Sequence, residues 1–199
     1  MTEFDHNAHI ILENERVRIE PLTLAHSVLL KDITLKDTGL MKFSSIPLTN
    51  EAELDKYIEM ALQARHDKTR YPFLIFDKQS GKYAGSTSYV WVSSKDARLE
   101  IGFTWLGFDF QRSGLNRAMK HLMMVYAFET MGFARVEYRA DSRNTQSRQA
   151  IEKIGAIFEG ELRSYVLKYD GVRTNTVYYS ILADEWPRVK KERFANIAG

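Results

Sequence analysis

The run from Gln111 to Gly155 constrains the fold more than any other part of this sequence. It reads as a strand end, the segment Gln111-Arg112-Ser113-Gly114-Leu115-Asn116, a long amphipathic helix, another strand, and a second helix opened by Asn144. Leu115, Met119, Leu122 and Tyr126 recur at three- and four-residue steps, with Ala118 and Val125 beside them, so one helical face is apolar. Gly132 suits the left-handed turn that closes a helix. At the other end, the segment from Gln111 to Asn116 offers backbone N–H groups at the positive pole of the helix, and Gly114 lets another group approach the main chain. Such an arrangement binds phosphate oxygens. A glycine-containing turn from strand to helix is also common where no phosphate is bound, so the loop alone leaves both readings open.

The remaining segments supply the rest of an α/β domain. Val17 to Leu22 reads as a strand, followed by a helix from Thr23. Asn50 and Glu53 resemble a capping box before a helix whose apolar face is Leu54, Tyr57, Ile58, Ala61 and Leu62. Phe73 to Asp77 and Tyr83 to Val92 read as strands joined at Gln79-Ser80-Gly81, with further strands at Arg98 to Leu106 and Arg135 to Ala140. Glu161 to Tyr169 and Arg173 to Leu182 flank Asp170-Gly171, a hairpin turn, and Asp184 to Ala195 reads as a short final helix. With 199 residues and 44% hydrophobic residues, the chain suits one domain with a full core. The expected division is a mobile tail over residues 1–14 and a domain over 15–199, built as a mixed central sheet with helices on both faces.

Composition removes several function classes. A net charge of +2, with no basic stretch alternating with aromatics, does not indicate nucleic acid as the main ligand. The absence of cysteine excludes a disulfide framework and a cysteine nucleophile, and fits a reducing compartment. Met1 to Asn14 lacks the basic start and apolar run of a signal peptide, and no run of 18 apolar residues occurs, so the expected location is cytoplasmic and no membrane partner is expected. His6, His9, His26, His66 and His121 show no carboxylate spacing of a metal site, and His121 falls on the polar side of the long helix. Glu100 stands out: Leu99, Ile101, Phe103 and Trp105 alternate on one face, with Glu100, Gly102 and Thr104 on the other. A carboxylate within an apolar strand needs a partner or a purpose, which leaves a structural ion pair and a general base as equal readings.

Gln111, Gly114 and Asn116 resemble the Gln-x-x-Gly-x-(Gly/Ala) signature of the GCN5-related N-acetyltransferases, the GNAT family, with Asn in the last position. Asp141 to Arg148, with Lys153-Ile154-Gly155-Ala156, is similar to the family's Asn-x-x-Ser…Lys-Leu-Gly-Phe segment, and Leu99 to Phe103 resembles the Glu-Ile-Gly strand of its ribosomal-protein (Rim-type) branch. The resemblance implies a GNAT fold with a splayed strand pair and acetyl-CoA as co-substrate. It implies that the amides of Arg112, Ser113, Gly114, Leu115 and Asn116, after Gln111, hold the pyrophosphate; Arg112 and Arg117 are candidate charged contacts, with Arg117 read equally well as a solvated helix-face residue. It also implies that the backbone of Thr104, Trp105 and Leu106 pairs with the pantetheine arm, and that Asn144 contacts that arm while capping its helix. Glu100 then becomes the candidate base. The family's tyrosine acid falls at Ile151, leaving Ser147 or water as its substitute. The implied reaction is direct transfer of an acetyl group to a primary amine, on a protein N-terminus or a small molecule, with homodimer formation left open. A non-catalytic acyl-CoA-binding or sensory domain is the alternative. A dinucleotide-binding oxidoreductase is poorly supported, since no Gly-x-Gly-x-x-Gly follows the first strand.

Overall fold

The computed structural model describes residues 3–36, 39–44 and 46–197. Eight strands form one sheet: β1 (Leu12–Glu13), β2 (Val17–Pro21), β3 (Arg70–Asp77), β4 (Lys82–Ser93), β5 (Arg98–Leu106), β6 (Arg135–Asp141), β7 (Ile157–Leu167) and β8 (Arg173–Leu182). Their order across the sheet is β1-β2-β3-β4-β5-β6-β8-β7. Every neighbouring pair is antiparallel except β5 and β6, which run parallel and are joined through a helix, as parallel strands require. The helices are α1 (Ser27–Thr34), α2 (Glu51–His66), α3 (Leu115–Val125), α4 (Thr145–Lys153) and α5 (Trp186–Phe194). The sequence places most of these elements within a few residues. β3 begins earlier than expected, at Arg70, and β7 runs from Ile157 to Leu167 rather than from Glu161 to Tyr169.

Two apolar cores lie on opposite faces of the sheet. Under α1 and α2 pack Leu30, Leu54, Tyr57, Ile58, Leu74 and Trp105. Under α3, α4 and α5 pack Ile19, Phe73, Leu99, Ile101, Leu115, Met119, Met123, Val136, Ile151 and Trp186. Each fully buried side chain of this size contributes about 1.5–3 kcal/mol, so the helices are held chiefly by these faces. Asn50 caps α2 by accepting from the Glu53 amide at 3.0 Å, while the Glu53 carboxylate accepts from Thr49 N–H at 2.6 Å, one residue before the cap expected from sequence. After α3 the chain widens into a π-helical turn over Tyr126–Thr130, and Gly132 closes it at φ +68°.

Met1 and Thr2 lie outside the described residues, and several residues of the segment up to Asn14 touch the domain. Phe4 stands edge-on to Tyr71, and Arg65 donates to the carbonyls of His6 and Ala8. His121 is not on a solvated face. It is 4% exposed, between Phe194 and Trp186, because α5 covers that side of α3. Burial and the Lys190 charge push its pKa down.

Candidate active site

β5 and β6 pair over only three positions, Arg98 with Arg135, Leu99 with Val136 and Glu100 with Glu137. Beyond Glu100 the two strands part. The cause lies on the other side of β5, where Ser88 pairs with Gly102 and Ser86 with Trp105, so β5 advances three residues while β4 advances two. The extra residue is Phe103, held at φ +49°. A bulge of this kind bends its strand and increases its twist, which turns β5 away from β6. The β6-facing edge from Ile101 to Leu106 is left without a strand partner, and Thr104, Trp105 and Leu106 all lie along it.

The bulge also overturns the alternation read from sequence. Phe103 is 44% exposed, and beyond it the faces exchange. Thr104 turns to the α3 side, where its hydroxyl meets those of Thr87 (2.8 Å) and the Lys120 ammonium (2.9 Å). Trp105 turns to the α2 side and donates its indole N–H to the Tyr57 hydroxyl at 3.2 Å. A strict two-residue period cannot foresee this, because a bulge adds one residue to the count.

At the wide end of the wedge lies the loop before α3. Arg112 (φ +59°) and Gly114 (φ +86°) are both left-handed, and Gly114 sits at the N-cap. Successive residues in such turns aim their amides to one side and make a concavity that attracts anions. Among the described residues the amides of Arg112, Ser113, Gly114, Asn116 and Arg117 have no hydrogen-bond partner, while that of Leu115 meets the Ser113 hydroxyl at 3.3 Å. A Cβ built on Gly114 would meet nothing within 4 Å, so the space above the helix pole is open. This loop fits a pyrophosphate. Gln111 braces it, donating to the Leu106 carbonyl at 3.1 Å and accepting from Gln146 of α4 at 3.2 Å. The Asn116 side-chain oxygen is buried without a hydrogen-bond partner among the described residues. Arg117 is engaged elsewhere, donating to the Arg193 carbonyl of α5 and lying over the Phe194 ring.

Across the wedge, Asn144 caps α4, its side-chain oxygen accepting from the Ser147 amide at 3.0 Å. The Ser147 hydroxyl is half-buried and makes no hydrogen bond among the described residues. Ile151 is buried in the core under α4.

The narrow end holds the charges. Glu100, 6% exposed, is paired with Arg139 of β6, whose guanidinium also donates to the Tyr178 hydroxyl at 3.3 Å. Burial pushes the Glu100 carboxyl above its usual range, and the guanidinium pulls part of the way back. Tyr178 stands edge-on to Tyr165 on this face, whereas Tyr179 points the other way and holds Arg148 and Glu152 of α4. Tyr165 and Tyr178 thus lie on the Glu100 side of the sheet, and Tyr179 lies on the other. On β3, buried Arg70 donates to the Ser88 hydroxyl (2.8 Å) and the Tyr57 hydroxyl (2.7 Å), under the Phe103 ring at 4.1 Å. On the opposite side of the wedge lies Lys120. Arg139, Arg70 and Lys120 were not legible as site residues, since each meets its partners only through sheet pairing or helix packing. Glu100 alone gave a signal, a carboxylate in need of a counter-charge.

A match to the Acetyltransferase (GNAT) domain covers residues 16–157. YdaF of Bacillus subtilis (strain 168), provisionally named a ribosomal N-acetyltransferase, is 33% identical over 113 residues, 57% of this chain and 59% of YdaF. The match therefore spans less than two thirds of that relative's length. The crystal structure of a GCN5-related N-acetyltransferase from Brucella melitensis superposes with a TM-score of 0.88 at 26% identity, covering 96% of this chain and 86% of the other. The ribosomal-protein-S5-alanine acetyltransferase of Vibrio fischeri, at 16% identity and a TM-score of 0.67, shares the fold over 89% of this chain and 98% of its own. Parted strands, a turn of unpaired amides at α3 and a domain match over most of the length agree: the chain belongs to the GNAT family of acetyltransferases.

Proposed function

We propose that this protein transfers the acetyl group of acetyl-CoA to a primary amine, on a protein N-terminus or a small molecule, by direct attack. The observation that carries the reading is the continuity of the unpaired amides before α3 with the open β5 edge that leads from them to Glu100. The loop from Gln111 to Asn116 would hold the pyrophosphate. The β5 edge at Thr104, Trp105 and Leu106 would pair with the pantetheine amides as an added strand, with Asn144 and Ser147 contacting the arm from α4. When bound, acetyl-CoA supplies an activated acyl carbon.

Glu100 accepts the proton that an attacking ammonium must lose, directly or through water. A carboxyl raised by burial is better suited to this than an ordinary one, since its affinity for protons is closer to that of its task. Backbone N–H groups of the strand end at Thr104 to Leu106 polarise the acyl oxygen. Arg139 holds Glu100 in place. The chain has no cysteine to carry an acyl intermediate, which favours direct attack. The cytoplasm fits such a chain, and the reading calls for neither nucleic acid nor membrane. No helix among the described residues is long and apolar enough to cross a membrane.

One observation favours a second reading, a non-catalytic acyl-CoA-binding domain: Glu100 already has a partner in Arg139, and Ile151 occupies the position of the family's tyrosine. Thiol release from acetyl-CoA, measured over peptides, polyamines, aminoglycosides and amino acids, separates the two. Turnover on an amine supports transfer. Tight CoA binding with no turnover on any of them supports the second reading.

A further inference from the structure

We propose that Lys120 gives its proton to the sulfur that leaves when the thioester is cleaved, a role that rests on the acetyl-CoA reading above. Lys120 projects from α3 into the wedge, and it is 6% exposed. Its Nζ lies 2.9 Å from the Thr104 hydroxyl and 3.5 Å from the Ile101 carbonyl on β5, and 5.3 Å from the centre of the Tyr138 ring on β6. It thus bridges the two strands just where they have stopped pairing. The titratable groups facing it are Glu100 from β5 and Tyr138 from β6.

The polar groups of this wedge are under-satisfied. Among the described residues no carboxylate lies within ion-pair distance of Nζ, and the hydroxyl it meets is shared with Thr87. The Tyr138 hydroxyl is buried with no hydrogen-bond partner among the described residues. Buried ammonium and hydroxyl groups seldom persist without compensation, and one more polar atom in the wedge would provide it. Because of the bulge, β5 from Leu106 to Gly102 advances only from Gly85 to Ser88 along β4, roughly 10 Å at about 3.3 Å per residue, and an arm lying along this edge from the α3 pole comes beside Lys120.

The chemistry requires such a donor. As the amine nitrogen bonds to the acyl carbon, the C–S bond breaks and its electron pair goes to sulfur. Nζ passes one proton to that sulfur and is left as the neutral amine, which takes a proton back from solvent; the acceptor nitrogen loses its own proton to Glu100 or water. Burial brings the Lys120 ammonium down to about 7, against a partial opposing pull from Glu100. A thiol titrates near 8.5, so transfer from this ammonium to a thiolate is downhill. The tyrosine that serves elsewhere in the family is absent here, at Ile151.

The test compares CoA with desulfo-CoA, which lacks only the sulfur, by calorimetric titration of the intact protein. A sulfur sharing a proton with Nζ should make CoA bind about tenfold or more tightly than desulfo-CoA. In Lys120→Met, and in Lys120→Gln, which keeps a hydrogen bond to Thr104 but has no proton to give, the two should bind within about twofold of each other. A general loosening of the wedge would weaken both ligands alike and leave their ratio unchanged, and that result overturns the proposal. Equal affinities in the wild type, or a preference that survives Lys120→Met but is lost in Ser147→Ala, overturn the proposal while the acetyl-CoA reading stands. Failure of both ligands to bind overturns that reading and the proposal with it.

Discussion

Two nitrogens of Arg139 converge on one carboxylate oxygen of Glu100, Oε2, and leave Oε1 without a hydrogen bond among the described residues. Oε1 lies over Gly102, where an added Cβ would approach it to 2.6 Å. One oxygen is anchored across the two parallel strands, and the other rests over bare backbone where β5 leaves β6. A carboxylate held in this way can accept a proton without releasing its counter-charge.

Glu100→Gln keeps the size of the side chain and removes the acceptor. The maximal rate on the best amine should fall about 10²–10⁴-fold, with acetyl-CoA affinity little changed. Because the wild-type carboxyl is raised, its basic form is lost as pH falls through a value above the ordinary carboxylate range, and this acid limb should vanish in the variant. Residual activity should recover toward the pKa of the amine itself. A near wild-type rate at neutral pH removes Glu100 from the reaction.

Gly102→Ala tests the position of Oε1 without touching its charge. The new methyl meets Oε1 at 2.6 Å and Val90 at 3.5 Å, so the carboxylate has to shift. A displacement of this order should lower the rate about 10²-fold, while acetyl-CoA binding stays near wild type. Unaltered steady-state rates would show that Oε1 has no part in the chemistry.

Gly114→Glu places a side chain and a negative charge over the amides before α3. The acetyl-CoA dissociation constant should rise at least about tenfold, or about 1.4 kcal/mol. Gly114→Ala separates charge from backbone strain: nothing obstructs its methyl, but φ is +86°, so a modest drop in melting temperature is expected as well. Normal binding by a folded Glu variant would move the pyrophosphate elsewhere.

Asn144→Asp preserves the cap on α4, since both residues accept from the Ser147 amide. Losing the amide donor should nevertheless weaken acetyl-CoA binding. If the Asp variant binds normally and Asn144→Ala only melts earlier, by about 1 kcal/mol, capping is its whole role.

Lys120 should leave a signature in stability as well. Its ammonium titrates near 7 in the folded chain, against about 10.4 for a free lysine, so between these values the unfolded state binds the extra proton. Stability should therefore rise with pH from about 7 toward 10, by up to roughly 1.4 kcal/mol per pH unit, and the cost of burying the charge is fully present below 7. Urea unfolding of wild type and Lys120→Met at pH 7 and pH 9 isolates the difference. Parallel curves would show that Lys120 is not a buried ammonium.

By itself the sequence determined the elements and the loop. Periodicity marked α2 and α3, Asn50 and Asn144 marked two helix starts, and Gly114 marked the turn at the α3 pole, because helix faces, caps and left-handed turns depend on neighbours a few residues apart. Only the tertiary structure decided the faces of β5 and the partners of the charges. The bulge at Phe103 reverses the alternation for Thr104 and Trp105 because it answers to pairing with β4, 17 and 19 residues away at Thr87 and Ser86. Glu100 needed a counter-charge on sequence grounds, but parallel pairing of β5 with β6 was required to bring Arg139 to it from 39 residues away. Lys120 looked like any lysine on a helix. Its burial follows from the packing of α3 across the parted strands, and burial is what changes its chemistry.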